Sequence, residues 1–125
     1  MTSMNGVATP LKIAFAEARA DGRDLSGVLP VLVRSPLFVV ANDNGARLEL
    51  YITKSPVPDR MCVTISESRE AMAQVPAHLV HPVTIDRLLA GIIGVWDIVI
   101  VYPDGGDVLQ AEYVPDLRAM VDKTS

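Results

Sequence analysis

Four groups of side chains in this 125-residue chain have types and spacing that could do chemistry. Ser66, with Glu67, Arg69 and Glu70 close behind it, stands where an alternating pattern passes into a helical one. A hydroxyl exposed between a strand and a helix is the outline of a nucleophile turn. The glycines that let such a turn tighten are missing, and no histidine is placed to act as base. A helix cap at Ser66 with a solvated first turn therefore accounts for these residues more simply. His78 and His81 are three apart, and on a strand that spacing sends them to opposite faces, so a shared metal would require a turn between them. Asp104 and Asp107 flank two glycines; a cation needs more oxygen ligands than this pair supplies, and a hairpin is the plain reading. Gly91 and Gly94 neither follow a strand nor open a helix, which excludes a phosphate-cradling loop and leaves a helix end and its cap. No metal and no cofactor is expected.

The elements that must position these groups follow from hydrophobic periodicity. Thr9-Pro10 is a helix start, since threonine caps free amides and proline at the first helical place loses nothing by lacking one. Leu11, Ala14, Phe15 and Ala18 then form one apolar stripe, stopped by Asp21-Gly22. A second helix, from Ser26 or Gly27 to before Pro36, accommodates Pro30 only in its first turn. Leu37–Val40, the turn cluster 42–45 and the alternating Leu48–Ile52 predict an antiparallel hairpin, followed by a surface loop from Lys54 to Arg60. Met61–Ile65 alternates as a strand, Ser66 opens a helix, and Pro76 stops it. Leu79-Val80 suffices for a short strand. Thr84 starts the clearest helix, with Ile85, Leu88, Leu89, Ile92 and Ile93 as its stripe and Gly94 as its close. Ile98–Val101 reads as a central strand covered on both faces, with Trp96 as a core anchor. A turn over 103–107, a strand Val108–Ala111 and a terminal helix through Val114, Leu117, Met120 and Val121 complete the chain. The fold class is α/β (mixed α+β), with a central mixed sheet of five to six strands flanked by helices, in the order ααββ-βαβαβ-βα. Residues 1–9 are a tail, and 10–125 form a single domain with no spacer inside it.

Composition narrows the partners. Half the residues are apolar, the formal charge is −4, and the 11 basic side chains are scattered, which gives no footprint for nucleic acid or an anionic membrane surface. The lone Cys62 lies in an apolar strand and fits a reduced, buried thiol. The first residues have no basic start and no apolar run of signal length, and Val95–Tyr102 is interrupted by Asp97 and too short to span a bilayer, so a cytoplasmic location is expected. A mean hydropathy of +0.30 is high for a small domain and favours a protein partner or self-association as a homodimer.

The paired N-terminal helices, Ser35-Pro36-Leu37-Phe38-Val39, the junction Ile65-Ser66-Glu67-Ser68-Arg69-Glu70-Ala71-Met72-Ala73 and Val99-Ile100-Val101-Tyr102-Pro103-Asp104-Gly105 resemble the N-terminal domain of the SseB family, named for enhanced serine sensitivity. The resemblance covers residues 10 to 121. The chain departs from that pattern at Tyr102, where an asparagine commonly precedes the proline, and at Ile65, where the family often has Phe-Thr. What the resemblance implies is an α/β domain found alone, beside another domain, or in bacterial toxin-immunity and secretion neighbourhoods; no catalytic residues come with it.

Three classes of function follow. The first is a non-catalytic bacterial protein-binding module, as an immunity or secretion-associated accessory factor. The second is a domain sensing an amino acid or nucleotide in a crevice at the carboxyl ends of neighbouring strands, where Ser66, Glu67, Arg69 and Glu70 should meet Tyr102 and Asp104. The third is a small enzyme, which would need a closed pocket with convergent polar groups.

Overall fold

Thr9 and Pro10 open the first helix as their types predict. In the computed structural model, which describes residues 9–20, 22, 25–43 and 48–124, helix α1 spans Pro10–Ala20, and Lys12 N–H donates to Thr9 Oγ1 at 3.3 Å. Gly22, at φ 63°, adopts the left-handed backbone that ends it. Residues 1–8 of the expected tail, Asp21, and residues 44 and 45 of the expected turn cluster lie outside the described residues.

The second helix is shorter than its stripe suggests. A 3-10 turn at Leu25–Val28 precedes helix α2, Leu29–Arg34, with Pro30 in the first turn, where its missing amide costs nothing. Helix α3 spans Ile85–Gly91, with Thr84 as its N-cap residue, and helix α4 spans Val114–Thr124. The α3 stripe extends past the helix only in part: Ile92 is buried, but Ile93 is not, because the chain turns extended at Ile92 and carries Ile93 outward. Gly91 is thus the last helical residue, and Gly94 lies beyond the end.

Among the described residues seven short strands form the sheet, against the five or six expected: β1 Leu37–Asp43, β2 Leu48–Leu50, β3 Ile52–Lys54, β4 Met61–Ser66, β5 Val80–Val83, β6 Trp96–Tyr102 and β7 Gly105–Leu109. The extra strand arises because Leu48–Ile52, read as one strand, breaks at Tyr51. β2 pairs with the outer half of β1 (Ala41 opposite Leu50), whereas β3 pairs with β4 (Ile52 opposite Val63), so the loop expected from Lys54 begins one residue later. β1 meets β4 only through Phe38 and Val39, and β5 lines its other side. β4 and β6 run parallel from Met61–Trp96 to Ser66–Val101, and every other pair is antiparallel. The last strand also shifts. The β6–β7 hairpin closes through Pro103-Asp104 alone, with Tyr102 opposite Gly105, so β7 starts three residues earlier than expected and ends at Leu109.

Alternation along the strands sorts side chains into two faces. Leu37, Val39, Val63, Ile65, Ile98, Ile100 and Leu109 join Leu11, Phe15, Leu29, Leu32, Leu88 and Leu117 of the four helices in one buried cluster. The two N-terminal helices thus cover the sheet. The opposite face carries Cys62, Thr64 and Ser66 beside Asp97, Val99 and Val101. The apolar run 98–101 suggests cover on both faces, but Val99 and Val101 are only half-buried, because this second face is closed at its ends and not along its length. The residue 55–60 loop reaches Asp97 at one end, and buried Met72 sits in the segment after β4 at the other.

Gly106 is fixed by this sheet. A Cβ there would stand 2.8 Å from the Ile100 carbonyl oxygen, inside van der Waals contact. Gly106→Ala should force β7 away from β6 and cost about 1–3 kcal/mol, measured by urea unfolding. An unchanged midpoint would mean that the two strands are not held at this separation. No helix among the described residues is long and apolar enough to cross a membrane.

Candidate functional site

The parallel register sets Ser66 beside Val101, so the end of β4 and the β6–β7 turn lie at one sheet edge, as expected. The side chains there have other employment. Ser66 is the last residue of β4 and not a helix cap: it is fully buried, and its Oγ–H donates to the Ser68 carbonyl at 2.6 Å. No long helix follows. Ser68 Oγ accepts from Ala71 N–H at 3.4 Å, and the chain makes only a 3-10 turn at Glu70–Met72 before a second 3-10 turn at Ala77–Leu79. β5 consequently occupies Val80–Val83 and not Leu79-Val80.

Glu67 turns towards α1. Its carboxylate accepts from the Thr9 hydroxyl and, at 3.3 Å, from Leu11 N–H. It thus caps from across the sequence a helix whose own first turn holds no acid. Arg69 lies 5.0 Å from the centroid of the Phe38 ring and donates to the Val80 carbonyl at 3.2 Å, which guards the β5 edge together with Pro82. Glu70 is exposed at the start of its 3-10 turn.

On the β6–β7 side, Lys12 of α1 holds the Asp104 carboxylate through both oxygens, at 2.8 and 2.7 Å, and stands 5.7 Å from the centroid of the Tyr102 ring. Buried Tyr102 donates from its hydroxyl to Asp107 at 2.9 Å, and Arg19 also binds Asp107. Burial, reinforced by the Asp107 carboxylate, pushes the Tyr102 phenol far above its usual range, which disqualifies it as a base at neutral pH. The Lys12 ammonium holds the Asp104 carboxyl below its ordinary value. Asp104 and Asp107 are thus taken by different cations and do not converge. Three of the predicted residues, Glu67, Tyr102 and Asp104, thus belong to a clasp between α1 and the sheet edge, through Glu67–Thr9, Lys12–Asp104 and Arg19–Asp107–Tyr102.

Beside this clasp an open groove of about 400 Å³ runs over the second face, lined by Thr64, Glu70, Met72, Val75, Val101 and Tyr102 among others. Of the six sequence-predicted residues, only Glu70 and Tyr102 reach it. His78 is exposed in its 3-10 turn, while the Nε2 of His81 on β5 is buried and has no hydrogen-bond partner among the described residues.

A buried polar centre also lies outside the residues that spacing singled out. Asp97 is fully buried on β6; one oxygen accepts from Ala111 N–H at 2.8 Å and Arg60 at 3.1 Å, and the other from Ser55 at 2.6 Å. Arg60 continues as a two-point bond to Glu112, at 2.5 and 2.6 Å. A single acid inside the apolar run Val95–Tyr102 was the available signal, because a buried charge requires partners. Arg60 depresses the Glu112 carboxyl to about 2, against the ordinary 4.5. A carboxyl lowered on folding stabilises fully above its unfolded value, and that stabilisation is lost as pH falls through the folded one. The melting temperature should therefore fall between about pH 4.5 and pH 2. Glu112→Gln should start lower at neutral pH and fall less, with the difference shrinking in salt because the pair is exposed. Parallel pH profiles for the two proteins would remove Glu112 from the account.

Compared with known proteins, the chain matches no family model, no curated protein and no solved structure.

Proposed function

We propose that the protein is a non-catalytic binding module that docks another protein chain through the corner after α3. The observation that carries this reading is the exposure of Ile93 and Val95, 84% and 80%, beside a groove between β2 and α3. Branched aliphatic side chains held in water at the rim of a recess of mixed polar and apolar lining are a favourable docking feature, since covering them releases that surface from solvent. The resemblance to the SseB family supports a bacterial accessory factor of the toxin-immunity or secretion kind. The engagement of Glu67, Tyr102, Asp104 and Asp107 in the clasp, and of Ser66 with the Ser68 carbonyl, favours binding over catalysis. A photo-crosslinking residue placed at Val95 and expressed in native cells should give discrete adducts that the same label at exposed Gln110 does not. Identical labelling from both positions would overturn the reading.

A second reading, a small-molecule sensing domain, is supported by the groove over Thr64, Met72 and Val101, which has a volume that suits a small ligand. It predicts that amino acids or nucleotides raise the melting temperature and that Thr64→Trp, which fills the groove, abolishes the rise. A compound screen without any shift would remove it.

A further inference from the structure

A trough of about 450 Å³ opens where the start of α1, the end of α2 and the residue that leaves β4 come together. It shares no residue with the corner after α3 or with the groove over Thr64. Pro10, Val31 and Pro36 make its wall predominantly apolar. The hydroxyls in the lining are already engaged: Ser35 Oγ–H donates to the Val31 carbonyl at 2.7 Å, and Thr9 donates to Glu67. Two opposite charges remain. Arg34 is exposed and makes no hydrogen bond or ion pair among the described residues. Glu67 accepts only from neutral donors, the Thr9 hydroxyl and Leu11 N–H, and no cation among the described residues pairs with it. Its charge is therefore uncompensated, and each carboxylate oxygen keeps a lone pair.

We infer that this trough binds a free α-amino acid with an apolar side chain, its carboxylate at Arg34, its ammonium at Glu67 and its side chain against Pro10, Val31 and Pro36. A simple anion, a nucleotide included, would be drawn to Arg34 and repelled by Glu67, and a simple cation would meet the reverse. A zwitterion satisfies both. The planar guanidinium suits a carboxylate, which it can hold through two parallel N–H bonds. Exposed charge pairs contribute little in water, so the affinity has to come in part from covering the apolar wall, and glycine is a poor ligand for that reason. The volume is that of a small-ligand cleft.

Titrating the whole chain with L-leucine should give saturable shifts of the Val31, Arg34 and Glu67 amides in nitrogen–proton correlation spectra. Leucinamide, which lacks the carboxylate, isocaproate, which lacks the ammonium, and glycine should each bind on the order of tenfold more weakly. Arg34→Gln should weaken leucine by a similar factor and erase its advantage over leucinamide. Glu67→Gln should erase the advantage over isocaproate. Because Glu67 also helps to seat α1, its variant counts only with the melting temperature retained; Arg34 has no partner to lose and carries the test by itself. Absence of shifts up to the solubility limit of leucine would overturn the site, as would equal binding of leucine and leucinamide. Shifts at Thr64 and Val101 instead would overturn it in favour of the groove on the second face, and none of these results touches the docking reading.

Discussion

Asp97→Ala should destabilise the fold by about 2–4 kcal/mol. The Ala111 amide and the Ser55 hydroxyl lose their acceptor, and Arg60 keeps only its contact with Glu112. Three segments distant in sequence meet at this one carboxylate: the loop after β3, the start of β6 and the connection into α4. Asp97→Asn keeps the shape and one accepting oxygen but turns an amide towards former donors, so it should cost less, about 1–2 kcal/mol. Ser55→Ala, which removes a single donor, should fall at or below that. Chemical unfolding of the three variants gives the ranking. A loss below about 1 kcal/mol for Asp97→Ala, the scale of one neutral hydrogen bond, would mean that these segments are fastened elsewhere.

How much of this was legible in the chain depended on whether the decisive interaction was local. Helix α1 could be read because Thr9, Pro10 and the Leu11–Phe15 stripe act within a few residues of each other. α3 could be read for the same reason. The pause at Tyr51 could not, since alternation persists through Leu48–Ile52 while the change of partner is set by β1 leaving β4 after Val39. Tyr51 N–H donates to Val40 at the point where the chain changes neighbours.

The segment after Ser66 misled for a related reason. Serines compete with helix by bonding nearby backbone, as Ser66 and Ser68 both do here, and only Met72 of this stretch offers a buried anchor. Without a continuous apolar stripe, tertiary contacts decided: Glu67 was drawn to α1 and Arg69 to Phe38. The candidate site was therefore legible as a place, through the register of β4 and β6, but not as a set of roles. Glu67, Asp104 and Tyr102 serve the seating of α1, a long-range partnership that spacing does not encode.

That seating carries the second large effect. Phe15 is 1% exposed and belongs to the same buried cluster as Leu32 and Leu117, so α1 is part of the core and not an appendage. Phe15→Ala should cost about 3–5 kcal/mol, because it removes an aromatic side chain and leaves a cavity that the flanking helices fill only in part. Ile13, on the outer side of the same helix and 45% exposed, provides the control: Ile13→Ala should change stability by no more than about 0.5 kcal/mol. The two substitutions differ in burial and not in helix propensity to any large degree, so their difference isolates packing from the intrinsic stability of the helix. Equal, small effects in thermal and urea unfolding would show that α1 can detach while the sheet and the remaining helices stay folded, and the polar clasp of Glu67, Asp104 and Asp107 would then be what holds it.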